Sequence, residues 1–308
     1  MKKAGLSIVI PAYNEAGSIG RLVSELRNGI QPDQIIVVDD GSEDGTATLA
    51  AEEGARVISH PVNIGNGASV KSGIRESFGS VLVFMDGDGQ HDPTDIPKLL
   101  AELERFDMVV GARTRKQHAS SARSLMNNIF NRLASYVTGH PVKDLTSGFR
   151  ALRLHTAEEL LPLLPNGYSW PTTSTLVMLR SGMSVKFVPV DARQRQSGRS
   201  RIRPVHDGIR FFMIIMKICT LYSPLRIFLP VSGSMVVAGL LNYAYTYLSS
   251  GRFTNMSALL FTGAIIIFMM GLLSEQISQI SLLRHQVRQR SKTPSQTLDR
   301  KNDDGDPN

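Results

Sequence analysis

Val81-Leu82-Val83-Phe84-Met85-Asp86-Gly87-Asp88-Gly89-Gln90-His91-Asp92-Pro93 is the stretch that decides the fold. A short apolar run rich in Val and Phe has the length of a strand buried on both faces, and it opens at once into carboxylates spaced by glycine. Strands buried on both faces belong to parallel sheets covered by helices, and ligands of such sheets bind beyond the carboxyl ends of the strands. The acidic loop is therefore read as one wall of a ligand cleft.

The same rhythm repeats outward from it. Short runs at 6–10, 34–39, 56–59, 80–86 and 107–111 alternate with longer amphipathic stretches, which predicts an α/β fold with a mostly parallel, doubly wound, Rossmann-like sheet. Residues 122–138, 156–164 and 172–181 read as helices and 185–190 as a strand, together completing the cleft. The first run ends in Pro11-Ala12-Tyr13-Asn14-Glu15 and the second in Asp39-Asp40-Gly41-Ser42, so carboxylates stand at two more strand ends. There they can accept hydrogen bonds from a base or from ribose hydroxyls. A turn before Gly41 would also account for one Asp; two beside Glu15 favour a ligand.

These stretches contain neither G-x-G-x-x-G nor G-x-x-x-x-G-K-[ST], so they do not support a dinucleotide fingerprint or a P-loop. The loop from Asp86 suits Mg²⁺ or Mn²⁺ with diphosphate oxygens completing the shell. An EF-hand is excluded because Pro93 follows at once and the twelfth position from Asp86 is Pro97 instead of Glu.

The chain has 308 residues, with 34 Lys+Arg against 27 Asp+Glu, and the basic excess gathers from Lys186 onward. That excess is interrupted by apolar runs and has no interleaved aromatic residues, so anionic lipid or a phosphorylated substrate is read as the partner and nucleic acid is not. One cysteine, Cys219, excludes a disulfide framework and a Cys-based metal site. The start at Met1 is too short in apolar residues for a signal peptide.

Two segments without charged side chains, 227–248 and 256–274, are each long enough to cross a hydrocarbon core of about 30 Å. The connector holds Arg252 alone, whereas Arg199, Arg201, Arg203, Arg210 and Lys217 precede the pair and Arg284, Arg288, Arg290 and Lys292 follow it. Both ends are therefore expected in the cytoplasm. The expected organisation is a cytoplasmic domain over 1–203, an amphipathic helix lying on the membrane over 204–224, a membrane hairpin over 225–283 and a polar disordered tail over 284–308.

Five motifs in order, Pro11-Ala12-Tyr13-Asn14-Glu15, Val38-Asp39-Asp40-Gly41-Ser42, Asn63-Ile64-Gly65-Asn66-Gly67, Asp86-Gly87-Asp88 and Ser147-Gly148-Phe149-Arg150, resemble family 2 glycosyltransferases. With the hairpin, the chain looks like the polyprenyl-phosphate hexose transferases, relatives of dolichol-phosphate mannose synthase. The resemblance implies a GT-A fold, inversion at the anomeric carbon, a nucleotide-sugar donor, a polyprenyl-phosphate acceptor and a homotetramer. It implies that Pro11, Tyr13, Glu15 and Asp40 surround the nucleoside with Asp39 close by, that Asp86 and Asp88 are the D-x-D pair holding metal and diphosphate, and that Gln90 lies by the metal. Lys71 would screen phosphate charge, although a solvated helix face accounts for it equally well.

Gly111-Ala112-Arg113 resembles the family's G-x-R, making Arg113 an acceptor-phosphate ligand, and the stretch from Asp144 to Arg150 resembles its D-x-T-S-G-F-R, with Arg150 structural. Arg195, Gly198, Ser200 and Arg201 resemble the R-x-x-G-x-S-[KR] loop that closes over the diphosphate, with Arg where Lys is commoner. A juxtamembrane segment that only attracts anionic lipid is the competing reading of those arginines. Members that glycosylate a hydroxyl often carry an acidic base in a region that here reads Gly167-Tyr168-Ser169-Trp170-Pro171-Thr172-Thr173-Ser174, without an acid. A phosphate acceptor is already an anion at neutral pH and needs no such base. A processive polysaccharide synthase is disfavoured by the missing Q-x-x-R-W. A silent scaffold binding nucleotide-sugar or lipid would be expected to lose Asp86 and Asp88, and a hydroxyl acceptor is the other alternative.

Overall fold

The structure, a computed structural model, describes residues 5–113, 121–191, 193, 213, 216 and 224–290. The chain falls into two compact units that divide between residues 218 and 219.

In the first unit the described strands are β1 (Leu6–Ala12), β2 (Gln34–Asp39), β3 (Arg56–Ser59), β4 (Val81–Phe84), β5 (Met108–Arg113), β6 (Arg150–Arg153) and β7 (Val185–Val190). They form one sheet in the order β3-β2-β1-β4-β6-β5-β7. Neighbours are parallel except at β6, which runs antiparallel to both β4 and β5.

Strand β2, Gln-Ile-Ile-Val-Val-Asp, is buried at every position, as a run of β-branched residues between two helix layers should be. Helix α1 (Ile19–Gly29) buries Ile19, Leu22, Val23 and Leu26, one stripe at helical spacing, and packs them into a core with Ile8, Ile10, Val37, Val83 and Val109. Helices α2 (Thr46–Glu52), α3 (Asn66–Glu76), α4 (Ile96–Leu103), α5 (Ser121–Thr138), α6 (Leu154–Leu160) and α7 (Trp170–Arg180) complete the unit, with a 3-10 turn at Pro93–Asp95. Gly73 lets α3 lie directly on Val9, since a Cβ there would collide with the Val9 side chain.

Strand β6 departs from the sequence expectation, which assigned no strand to Arg-Ala-Leu-Arg. Arginine at a strand start signals an exposed position, yet Arg150 is fully buried. Its guanidinium donates to the carbonyls of Ser147 and Pro171 (3.0 Å for Pro171), to Ser174 Oγ at 2.6 Å and to Thr175 Oγ1 at 3.3 Å, and it lies 4.9 Å from the Trp170 ring centroid. Polar groups of α7 thus replace the water that the cation loses.

In the second unit, α8 (Leu225–Ser250) and α9 (Asn255–Arg290) form a hairpin. Both are long and apolar enough to cross a membrane, and most of each is exposed, unlike the core helix of a soluble domain. Gly239 faces Phe261, Gly263 faces Met235 and Gly271 faces Phe228, so missing side chains on one helix receive large ones from the other. The Asn242 amide donates to Ser257 Oγ at 3.0 Å near the turn, and at the other end the Leu225 amide donates to a Glu275 carboxylate oxygen at 3.5 Å. Helix α9 runs to Arg290, beyond residue 284 where the polar tail was expected to begin, because the Arg and Gln residues that dominate 284–290 are good helix formers and prolong an established helix. The expected interfacial helix lies outside the described residues apart from Met213, Met216 and Pro224, and residues 291–308 lie outside them too.

Candidate active site

Around β1 the sheet order reverses, with β2 on one side and β4 on the other, and at such a point the loops leaving the strand ends part to form a crevice. The loops after β1, β2 and β4 meet there. Ser42 Oγ accepts from the Asn14 amide at 2.8 Å, Asn14 Oδ1 from the Glu43 amide at 2.9 Å, and Thr46 Oγ1 from the Glu15 amide at 2.9 Å, stitching the first two loops together. Asn14 itself sits at φ 55°, a left-handed conformation that Asn tolerates. Pro11 and Glu15 are buried and Tyr13 is half-buried at this edge.

Asp39 and Asp40 divide their work. Asp39 accepts from the Ser42 amide at 3.2 Å, closing its own turn. Asp40 accepts from the amides of Ile64 at 3.0 Å and Gly65 at 2.8 Å and is paired with His60 Nδ1 at 2.8 Å. His60 Nε2 in turn lies 2.9 Å from Ser72 Oγ on α3. Asp40 therefore latches the 60–65 loop, and that loop lays Gly65 and Gly67 against the backbone of residues 165–167, where a Cβ at either glycine would clash. Lys71, on the same helix, donates to Asn166 Oδ1 at 2.8 Å, and burial followed by the nearby Arg75 charge lowers its pKa.

Beyond β4, Asp86 and Asp88 flank Gly87. Asp86 is about one third exposed and lies 3.7 Å from His91 Nε2. The His91 ring is buried and stacked on Phe149 at 5.0 Å. Burial opposes ionisation of Asp86, but the nearby His91 and the charges of Arg113 and Arg150 outweigh it and hold the carboxyl below its ordinary range. Gly148 makes room for this carboxylate, because a Cβ there would lie 2.7 Å from one Asp86 oxygen and 2.8 Å from the other. Asp88 Oδ1 accepts from the Gln90 amide at 3.1 Å, which folds the loop back.

Arg113, at the end of β5, grips Asp144 through Nε at 2.9 Å and Nη2 at 3.1 Å and also donates to Thr146 Oγ1 at 2.7 Å. Burial lowers its pKa, and the charges of Asp144, Asp86 and Asp88 more than reverse that, so Arg113 stands within electrostatic reach of both loop carboxylates. Arg195, Ser200 and Arg201 lie outside the described residues.

No group of three or more His, Cys, Asp or Glu able to enclose a metal occurs among the described residues. An ionised, part-exposed Asp86 in a cradle kept open by Gly148, with Asp88 two residues on, suits a hard divalent cation that takes its remaining oxygens from water and a ligand's phosphates. His60, His91 and Asp144 had no assigned role in the sequence reading. His60 and Asp144 act through partners distant in sequence and His91 is held by the distant Phe149 ring while facing Asp86 in its own loop, and the only hint was His91 and Asp144 lying inside stretches already singled out.

Residues 7–161 match the family described as Glycosyl transferase family 2, and residues 223–280 match the one described as GtrB C-terminal hairpin. The chain is 30% identical over 208 residues to an undecaprenyl-phosphate mannosyltransferase of Micrococcus luteus, covering 63% of this chain and 86% of that one. It is 29% identical to glycosyltransferase AglJ of Haloferax volcanii, covering 91% and 95%. Among solved structures it resembles glucosyl-3-phosphoglycerate synthase of Mycobacterium tuberculosis in complex with Mn²⁺, uridine-diphosphate and phosphoglyceric acid, with a TM-score of 0.56 and 25% identity over 70% of this chain and 79% of that one. The sheet and its helices are of the GT-A type that the motifs implied.

Proposed function

The chain belongs to glycosyl transferase family 2 and is a glycosyltransferase, and from that premise we propose that it passes a hexose from a UDP- or GDP-linked donor to a polyprenyl phosphate. The transfer is metal-dependent, inverts the anomeric carbon and takes place at the cytoplasmic membrane face. The observation that carries this reading is the union in one chain of a family 2 domain bearing Asp86 and Asp88 with an apolar two-helix hairpin matched by the GtrB C-terminal hairpin. Relatives named undecaprenyl-phosphate mannosyltransferase and undecaprenyl-phosphate 4-deoxy-4-formamido-L-arabinose transferase support the acceptor class.

Asp86 and Asp88, with Gln90 beside them, are the residues that would hold Mg²⁺ or Mn²⁺. When bound, that ion would neutralise charge building on the departing nucleoside diphosphate. Pro11, Tyr13, Glu15 and Asp39 line the nucleoside, while Asp40 acts through the loop it latches. Arg113 holds positive potential behind the carboxylates, and Arg195, Ser200 and Arg201 bind phosphate. The acceptor phosphate attacks as an anion, so the chain's task is alignment of its oxygen with the anomeric carbon and no base is required. In accord with this, Ser174, in the region that lacks an acid, and Thr175 just after it are buried and committed to Arg150.

The test is formation of lipid-linked sugar by purified protein in detergent across a panel of UDP- and GDP-sugars, with Mn²⁺ or EDTA and with or without polyprenyl phosphate. Product formed only with both metal and lipid phosphate, and of inverted anomeric configuration by NMR, is the expected result. Nucleotide-sugar binding without turnover on any donor would overturn the reading in favour of a scaffold.

A further inference from the structure

The loop between β4 and the 3-10 turn at Pro93–Asp95 carries the carboxylates but includes two glycines, Gly87 and Gly89, the second at φ 69°. Glycine loses more conformational freedom on ordering than any other residue, so such a loop keeps its carboxylates aligned only if its neighbours pin it. At its start, the Met85 amide donates to the Val9 carbonyl at 3.1 Å and Ser18 Oγ of the turn before α1 donates to the Gly87 carbonyl at 2.8 Å.

At its end the pin comes from a residue far along the chain. The Arg193 amide donates to the Gln90 carbonyl at 2.7 Å, and its guanidinium donates to Asp92 Oδ2 from Nη2 at 2.8 Å and from Nε at 3.2 Å. The remaining arm, Nη1, donates to Glu25 Oε2 on α1 at 2.9 Å, and Arg21 Nε lies 3.3 Å from the other Glu25 oxygen. Asp92 is meanwhile fixed from its other oxygen, which accepts from the Thr94 amide at 2.9 Å and Thr94 Oγ1 at 2.7 Å. One planar fork thus bridges the loop to the helix that already holds the loop's start, a span that the single ammonium of lysine cannot reproduce in the same geometry.

We propose that Arg193 is a positioning residue for the metal-binding loop, clamping Gln90 and Asp92 to α1 so that Asp86 and Asp88 stay aligned. The inference rests on the reading that these two carboxylates bind a divalent cation. Outer partners that orient metal ligands are worth about 10–100-fold in metal affinity, which sets the size of the effect.

The experiment uses the full-length protein in detergent and reads Mn²⁺ binding directly, from the loss of the free-ion EPR signal, with UDP or GDP present. Nucleotide binding in EDTA is measured alongside. Arg193→Met should weaken Mn²⁺ binding about 10-fold or more while leaving metal-free nucleotide binding unchanged, and Arg193→Lys should fall between. Asp92→Asn, which keeps the Thr94 cap and loses the ion pair, should weaken Mn²⁺ binding in the same direction. The double variant should be no worse than Arg193→Met alone, because both remove one interaction. Wild-type Mn²⁺ affinity in either folded variant, or effects of the two that simply add, would overturn the proposal. Should Arg193→Met fail to fold, Asp92→Asn decides alone. Asp88→Asn separates the two levels: if it too binds Mn²⁺ normally, the metal site itself is misassigned, whereas loss of binding there with no change at Arg193 removes only the clamp.

Discussion

Asp40 uses its carboxylate on the Ile64 and Gly65 amides and on His60, so removing it leaves backbone donors and an imidazole without their acceptor. Asp40→Ala is expected to cost about 2 kcal/mol of stability and to raise the donor KM, and His60→Ala should reproduce part of both effects through the same latch. Thermal unfolding together with calorimetric nucleotide titration checks this; a nucleotide-binding loss in Asp40→Ala with no echo in His60→Ala would make Asp40 a direct ligand instead. The Arg113–Asp144 pair carries a pH signature. Burial opposes the Asp144 charge, but the Arg113 charge and hydrogen bonds hold the carboxyl below its ordinary value of 3.8. A depressed carboxyl stabilises the fold fully above that ordinary value and loses its contribution as pH falls through the lower folded one. Asp144→Asn should therefore lower stability at neutral pH and flatten the acid limb below about pH 4, as read from urea midpoints against pH. The sequence made Asp39 and Asp40 visible as a pair at a strand end. It could not separate their tasks, because that depends on a histidine twenty residues on and on amides whose direction only the folded loop sets.

Among elements, β6 shows what periodicity misses. The inner strands were legible because parallel strands covered on both faces must be continuously apolar, and the structure places β1 to β5 on the five expected runs, with the bounds of β2 and of the edge strand β3 unchanged and the ends of the others shifted by one or two residues. Strand β6 begins with a cation whose solvation is supplied by α7, a helix that no local pattern ties to it. Burial pulls the Arg150 pKa down to about 9, partly offset by Asp144 and Asp86, so it remains charged at neutral pH. Arg150→Met would fill the space and strand the Ser147 carbonyl, while the Pro171 carbonyl keeps the Ser174 and Thr175 hydroxyls, a loss of about 1–3 kcal/mol expected in chemical denaturation. The same strand also positions the site, since Gly148 and Phe149 just before it pack on Asp86, His91 and Gly111. Within the hairpin, Asn242→Leu removes the hydrogen bond to Ser257 and should cost about 1 kcal/mol of helix association, detectable as a lower unfolding midpoint in detergent.

At the scale of the whole molecule, the division into a family 2 domain and an apolar hairpin was legible because charge vanishes abruptly from the sequence over two long segments. Proposed orientation makes a definite prediction. In a Cys219→Ser background, Phe253→Cys in the exposed connector should react with an impermeant maleimide from outside intact cells, and Ser295→Cys should react only after the membrane is opened. Labelling of Ser295→Cys from outside, with Phe253→Cys reacting only after the membrane is opened, would reverse the topology.

The hairpin also changes what concentration means for the reaction. A catalyst whose two exposed apolar helices are held in a bilayer meets its lipid partner by lateral diffusion in a sheet, so the governing quantity is acceptor per unit of surface, not per litre. Adding inert phospholipid to reconstituted vesicles at constant amounts of enzyme and acceptor would then slow turnover, although nothing in the aqueous phase has changed. Cells that thicken or thin their pool of carrier lipid would set the pace of this enzyme by crowding or emptying a plane.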